Sequence, residues 1–151
     1  MSVTISGSGQ IIKQVVSSTF TSAFSSSSTS FTPIGLSATI TPTNAANKIF
    51  IIVSIYGSST NSFLAQLYRG VTAIDAGTAG NNQFTLGQVV PTNTYSLSST
   101  TNYLDSPATT SAITYSISMR TDAGTFYVNY RGSGSDFGGT CTMTLMEIAY
   151  A

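Results

Sequence analysis

The stretch KIFIIVSIY, residues 48–56, decides the fold, because it is apolar at both alternating sets of positions. One set is wholly aliphatic and comprises Ile49, Ile51, Val53 and Ile55. The other is apolar at Phe50, Ile52 and Tyr56. β-Branched and aromatic residues favour a strand, and in an antiparallel sandwich one face of that strand meets the opposite sheet. We expect a neighbouring subunit to cover the second face, with burial inside the chain itself as the alternative.

Alternation of apolar and polar side chains predicts further strands on both sides of this stretch. The clearest is 113–120, which has the period of two expected for a sheet with one buried face. Turn-forming residues at 121–124 lead into another alternating run at 125–130, and we expect these two strands to form a hairpin. The run 34–40 ends before Pro42, which cannot donate to a ladder. Further strands are predicted at 11–16, 62–69, 83–88, 94–101 and 140–149.

About eight to ten short strands separated by Gly, Asn, Ser and Pro indicate an all-β protein with an antiparallel sandwich or jelly roll. Helices are not expected, since Glu occurs once and Lys twice. The length of 151 residues suits one β-sandwich domain, which we place at 11–151, with residues 1–10 as a docking arm. The serine-rich run 25–30 and the glycine-rich run 131–139 are predicted to be surface loops.

The last predicted strand changes the parity of its apolar residues. Cys141, Met143 and Leu145 share one parity, and Met146, Ile148 and Tyr150 share the other. A bulge or a subunit contact would explain the change. Cys141 is expected to be a small buried hydrophobe, as free cysteines commonly are. Together with the central strand, this pattern gives six candidate subunit-interface residues: Phe50, Ile52, Tyr56, Met146, Ile148 and Tyr150.

The composition excludes several classes of function. The chain has no His, so catalytic arrangements that need a Ser-His or Cys-His pair are impossible. Its five basic residues are scattered singly, which argues against binding to nucleic acid. Neither a signal peptide nor an apolar run of the roughly 20 residues needed to span a membrane is visible. A net charge of zero favours self-association, because little repulsion keeps copies apart.

Acidic and aromatic residues give no catalytic motif. Turns are predicted around Asp75, Asp105, Asp122 and Asp136, where Asp commonly bonds its own backbone, and Glu147 falls in the last strand. Paired carboxylates of a sugar hydrolase are unsupported by any local motif, and no cofactor or metal site is expected. Tyrosines could stack on sugars, but half-buried strand faces or subunit interfaces are the favoured interpretation. The tyrosines considered are Tyr56, Tyr68, Tyr95, Tyr103 and Tyr127.

Several short segments carry a resemblance to a known group of proteins. They are GLSATITP at 35–42, NKI at 47–49, YRG at 68–70, YLDSPA at 103–108 and LMEI at 145–148. With these segments the chain resembles small bacteriophage virion proteins and fibre-head modules, particularly those of phages with marine and cyanobacterial hosts. The resemblance implies a jelly-roll or tumour-necrosis-factor-like sandwich, often trimeric, on the outside of a virion.

Within that group, the early first strand leaves no room for a fibre shaft and favours direct docking onto a preformed surface. We therefore expect a homotrimeric capsid decoration or cement protein, made in the host cytoplasm and bound to the major capsid protein or other virion proteins. The alternative is the receptor-binding knob of a tail or head fibre that recognises host surface glycans. A free carbohydrate-binding module or a sugar hydrolase is a third possibility.

Overall fold

The computed structural model describes residues 11–78, 85–89 and 95–149, and every regular element within these ranges is a β-strand. The all-β prediction is therefore confirmed. In chain order the strands are β1 (Ile12–Phe20), β2 (Phe24–Ser26), β3 (Thr32–Ile40), β4 (Lys48–Ser59), β5 (Ser62–Arg69), β6 (Thr72–Ile74), β7 (Leu86–Val89), β8 (Leu97–Asp105), β9 (Ile113–Arg120), β10 (Phe126–Val128), β11 (Tyr130–Arg131), β12 (Gly134–Gly138) and β13 (Cys141–Ile148).

The first sheet is built around β4, which is the central stretch identified in the sequence. One edge of β4 pairs with β8 along residues 49–57. The other edge is shared, because β13 pairs with residues 48–54 and β10 pairs with residues 57–59. Next to these lie β1 beside β13 and β2 beside β10. Four long strands in the order β1-β13-β4-β8 thus form the main body of this sheet.

The second sheet has the order β3-β9-β5, and β6 and β7 pair with β5 at its two halves. All pairings in both sheets are antiparallel. The chain passes repeatedly between the sheets, with β3, β5 and β9 in the second and β4, β8 and β13 in the first. This alternation is the double Greek key of a jelly roll. The sandwich predicted from the alternating patterns is confirmed.

The hairpin predicted from 113–120 and 125–130 is wrong, because its two strands lie in different sheets. β9 pairs with β3 and β5, whereas β10 pairs with β2 and β4. The connection at 121–124 crosses from one sheet to the other. Thr121 anchors it, since its hydroxyl oxygen lies 2.7 Å from the carbonyl oxygen of Ser62 and 2.6 Å from that of Ala123, either of which can accept its proton, and its N–H donates to the carbonyl of Ser28. Alternation predicts each strand but carries no information about its partner.

The hydrophobic core lies between the two sheets. The aliphatic set of β4 is fully buried there, together with Tyr115, Phe126 and the inward residues of β13. Cys141 is buried, as predicted. β13 pairs with β4 without a bulge, whereas its pairing with β1 is irregular between Ile12 and Gln14, opposite Ile148 and Glu147. Its inward positions continue from Leu145 to Glu147, and Met146 and Ile148 lie on the outward face as regular alternation requires.

Several predicted loops and boundaries differ from the structure. The serine-rich run contains the end of β2, and the glycine-rich run contains β12, which pairs with β11. The strands predicted at 83–88 and 94–101 correspond to β7 and β8, although residues 83, 84 and 94 lie outside the described residues. The docking arm at residues 1–10 and Tyr150 also lie outside them.

Candidate subunit interface

Strand register brings four apolar side chains into one row across the outer face of the first sheet. Val15 on β1 is opposite Met146 on β13, and Met146 is opposite Phe50 on β4. Phe50 in turn is opposite Leu104 on β8. Val15 is 57% exposed and Leu104 is 48% exposed, whereas Phe50 and Met146 between them are half-buried. The row therefore crosses all four long strands, at the end of the sheet where β4 begins.

Three more apolar residues extend this row into a patch. Ile12 lies opposite Ile148 at the margin of the sheet, and Ile52 follows Phe50 on the outward side of β4. We call the seven residues the apolar band: Ile12, Val15, Phe50, Ile52, Leu104, Met146 and Ile148. Three of these residues are exposed and four are half-buried, and a contiguous apolar patch of this kind is a feature of interaction sites.

Hydroxyl groups cover the middle of the same face. In register across the strands are Thr19, Thr142, Ser54 and Thr100, and the Thr100 hydroxyl donates to Ser54 at 3.3 Å. Beside them the hydroxyls of Ser17 and Thr144 are 3.4 Å apart. The apolar band therefore has a sharp polar border along β1, β13, β4 and β8.

The far end of the face is covered by the β11–β12 hairpin. Gly132 in this hairpin donates from its N–H to the Ser58 hydroxyl at 3.1 Å and packs against the Tyr127 ring. Gly139, just after the hairpin, packs against the ring of Tyr56. Tyr56 is thus covered by the chain itself and lies about 20 Å along β4 from Phe50, at about 3.4 Å per residue.

The structure brings together four of the six residues predicted for the interface. Phe50, Ile52, Met146 and Ile148 lie in the apolar band, Tyr56 lies at the opposite end of the face, and Tyr150 lies outside the described residues. Sequence reasoning did not name the remaining band residues, Ile12, Val15 and Leu104. Following β8 further along its alternation could have found Leu104, whereas Ile12 and Val15 are three residues apart and share a face through the irregular pairing of β1 with β13 between Ile12 and Gln14.

Directly beneath the apolar band, two buried carboxylates lie in one row on the inner face of the sheet. Gln14 is opposite Glu147, Glu147 is opposite Ile49, and Ile49 is opposite Asp105. Glu147 is fully buried and Asp105 is 4% exposed. Buried carboxylates are costly unless they are hydrogen-bonded or paired, so the partners of each group decide its role.

Glu147 is held by neutral donors from two distant segments. Its Oε1 accepts from the Thr43 N–H at 2.7 Å, the Thr43 hydroxyl at 2.8 Å and the Asn47 amide at 2.6 Å. Its Oε2 accepts from the Gln14 amide at 2.7 Å. Burial opposes ionisation, but these four donors outweigh it and lower the pKa of Glu147 to about 2. The carboxylate thus fastens β1 and the loop before β4 to β13.

Asp105 was predicted in a turn and instead ends β8, facing inward, so that prediction is wrong. Arg69 on β5 donates to both of its oxygens, at 2.9 and 3.0 Å. Tyr115 on β9 donates its hydroxyl to Oδ2 at 2.6 Å. Burial and then the bond to Asp105 raise the pKa of Tyr115, so its hydroxyl stays protonated. The cluster ties the two sheets together.

Both carboxylates act in the structure as clamps. Each accepts several short hydrogen bonds, and Ile49 separates them, so they do not converge on a common cleft. Glu147 lies between the band residues Met146 and Ile148, and Asp105 follows Leu104 in sequence. Residues held by such bonds cannot move independently, so the clamps give the apolar band a rigid support.

The other acids and the tyrosines form no common site in the described part of the chain. Asp122 pairs with Arg120 at 2.8 Å, and Asp75 follows β6 with a φ of 55°, in keeping with a turn. Asp136 lies in β12. The described residues contain no group of three potential metal ligands and no helix long and apolar enough to span a membrane. Tyr95 is exposed, whereas Tyr68 lies on the second sheet, away from Tyr56 and Tyr127.

These features define an antiparallel jelly roll with an apolar band on one outer face. No family model and no curated protein matches the chain. Among solved structures it is similar to Bacillus endospore appendages, described as a family of disulfide-linked pili, with a TM-score of 0.39, 16% identity and coverage of 99% of this chain and 100% of that one. It is also similar to the VP2 subviral particle of infectious bursal disease virus, with a TM-score of 0.39, 14% identity and coverage of 93% and 39%. At these values the likeness carries no argument about function.

Proposed function

We propose that this chain is a non-enzymatic structural protein of a bacteriophage virion. Its role is that of a homotrimeric decoration or cement protein on the outer capsid surface. The apolar band is the observation that carries this proposal. It is contiguous, it lies on a clamped support, and it is left open by the part of the chain that the structure describes.

Identical copies are the occupant that best fits the apolar band. The seven side chains of the band are uncharged, and Lys48, which is opposite Ile148 at the border of the band, donates to the Ser106 hydroxyl at 2.7 Å. The chain as a whole has a net charge of zero, and copies therefore approach without long-range repulsion. Obligate interfaces between identical subunits are also the more hydrophobic class of interface.

The virion context comes from the sequence resemblance to phage surface proteins and is compatible with the rest of the surface. Hydroxyl rows beside the band can bond to a capsid surface without long-range electrostatics. A decoration protein adds intersubunit burial at each site, and binding to the assembled form stabilises it by mass action. A small gain at each site is multiplied by the number of copies on the particle.

The experiment compares phage capsids with and without this protein under heating and at low ionic strength. The proposal expects decorated capsids to survive to higher temperature, measured as retention of packaged DNA. Capsids decorated with a Leu104→Asp protein, which carries a charge on the exposed edge of the band, are the comparison, and they should lose packaged DNA at a lower temperature than capsids with the wild-type protein. Equal resistance of bare and decorated capsids contradicts the cement role.

The second candidate is a receptor-binding fibre knob that contacts host glycans. Its support is Tyr95, which is 67% exposed and offers a flat apolar ring with a polar tip. In that case the purified protein blocks phage adsorption to host cells, and Tyr95→Ala removes the block. A cement protein leaves adsorption unchanged at any concentration.

A further inference from the structure

Exposed apolar side chains occur at two further places in the described part of the chain, outside the apolar band. Val71 stands alone in the turn between β5 and β6, whereas Tyr95 and Leu97 are two positions apart where β8 begins. Tyr95 is 67% exposed and Leu97 is 40% exposed. We call these two residues the Tyr95–Leu97 pair.

The Tyr95–Leu97 pair and the apolar band lie at opposite ends of the first sheet. Leu97 is the first residue of β8 and is opposite Gly57, which has no side chain to cover it. Leu104 of the band lies on the same strand, about 24 Å away at about 3.4 Å per residue. Because β8 is paired with β4 along its length, a chain cannot bring its own Leu97 to its own Leu104.

The two surfaces are complementary in their chemistry. A tyrosine side chain has an apolar ring and a polar hydroxyl, and the band is apolar up to a border of hydroxyl groups. A ring that lies on the band can therefore place its hydroxyl at this border. Residues 95–104 include no charged residue, so the pair brings no charge onto the band. Tyrosine is also enriched at the buried centre of protein interfaces.

Cyclic symmetry requires a second surface besides the band. Neighbouring copies in a ring of three meet head to tail, so each contact joins two different surfaces of the chain. Only residues on the symmetry axis meet their own equivalents. If the band is one of the two surfaces, the Tyr95–Leu97 pair is the larger exposed apolar surface that the described residues offer for the other.

We propose that the Tyr95–Leu97 pair of one copy docks on the apolar band of the next copy. The inference rests on the proposed function, because it names the surface that the band contacts in the trimer. Each copy gives one pair and receives one, and such head-to-tail contacts close into a ring. Tyr95 then serves assembly, whereas the fibre-knob alternative assigns it to host glycans.

The first test places one carboxylate on either of two exposed apolar residues. Tyr95→Asp puts a charge on the pair, while Val71→Asp puts the same charge on the isolated turn residue, which is 96% exposed. We expect Tyr95→Asp to weaken association at least about tenfold, as for an interface anchor, and Val71→Asp to change it less than about twofold. The measurement is the mass in solution over a dilution series. Equal effects of the two substitutions overturn the inference.

The second test joins the two surfaces covalently. Leu97→Cys with Leu104→Cys places one thiol on each surface, and buried Cys141 stays in place. A disulfide needs Cα atoms within about 7 Å, so two positions about 24 Å apart on one strand cannot be joined within a chain. We expect covalent dimers and trimers on a non-reducing gel after mild oxidation. Each single variant is the matched control and should run as a monomer on that gel.

Two results of the cross-linking test overturn the inference. Covalent dimers of Leu104→Cys alone would mean that two bands meet each other. A double variant that is trimeric in solution but gives no cross-linked species would mean that the pair and the band do not meet.

The inference and the proposed function fail in different ways. A wild-type chain that remains monomeric removes the homotrimer of the proposed function and the docking of the pair together. A wild-type trimer that is dissociated by Leu104→Asp but unaffected by Tyr95→Asp keeps the band as the interface and overturns the docking of the pair alone.

Discussion

At the scale of single residues, the position of Glu147 in a strand could be predicted from the sequence, but its hydrogen-bond partners could not. Its place in the last strand was predicted correctly. Its complete burial was not, because the three residues that donate to it lie 100 to 133 positions away in the chain. Those donors are amides and a Thr, which carry no charge that would suggest a partner for an acid. Local patterns cannot show contacts of this kind.

Glu147 gives the protein a specific dependence on pH. Its folded-state pKa of about 2 is below the ordinary value of 4.5, so its contribution to the free energy of unfolding is complete above about 4.5. That contribution is lost as the pH falls from there through about 2. We predict that wild type loses more stability than Glu147→Gln between pH 5 and pH 2. Urea unfolding at a series of pH values measures this, and parallel curves contradict it.

Tyr115 is predicted to contribute through its hydroxyl. Tyr115→Phe removes one donor to Asp105 and leaves Arg69 as the donor that the described residues provide, so the free energy of unfolding should fall by about 1.5–3 kcal/mol. Tyr68→Phe removes a hydroxyl from the half-buried outward side of β5 and should change it by less than about 0.5 kcal/mol. Chemical denaturation at pH 7 compares them. Equal losses for the two variants would contradict a stabilising contribution from the hydrogen bond between Tyr115 and Asp105.

At the scale of elements, the predicted strands are present, some with shifted bounds, but two predicted loops contain strand residues and a pairing prediction failed. β5 and β9 have the predicted bounds; burial alternates along the first half of β9, as its sequence pattern predicts, whereas β5 is buried on both faces from Ser62 to Leu67. The hairpin failed because the turn-forming residues after β9 cross between sheets instead of reversing within one. The apolar band could be predicted only in part for a related reason. It depends on the register of four strands, which no single strand encodes.

At Gly57 the strand paired with one edge of β4 is β10, whereas residues 48–54 of the same edge pair with β13. A Cβ at this residue would collide with the carbonyl oxygen of Tyr127 on the paired strand. We predict that Gly57→Ala lowers the free energy of unfolding by about 1–3 kcal/mol, because the backbone of β10 must move. Gly138→Ala meets no atom within 4 Å and should change it by less than about 0.5 kcal/mol. Similar losses of unfolding free energy in the two variants would contradict the close contact between Gly57 and the backbone of β10.

At the scale of the whole molecule, stability and assembly are linked. If copies associate through the apolar band, folding of each protomer is coupled to binding, and the melting temperature rises with protein concentration. We predict this rise for wild type over about a hundredfold range of concentration, measured by scanning calorimetry. Leu104→Asp should show a weaker rise. A wild-type melting temperature that is independent of concentration would argue against coupled assembly.

The mass of the purified chain in solution tests the central claim most directly. One chain has a mass of 15.7 kDa, and sedimentation equilibrium should find about three times that value for wild type. Leu104→Asp should move the equilibrium toward 15.7 kDa, while Thr100→Asp, on the same face of β8 among the hydroxyls, should leave the trimer intact. A wild-type chain that stays at 15.7 kDa at every concentration would mean that the apolar band does not join copies of this protein.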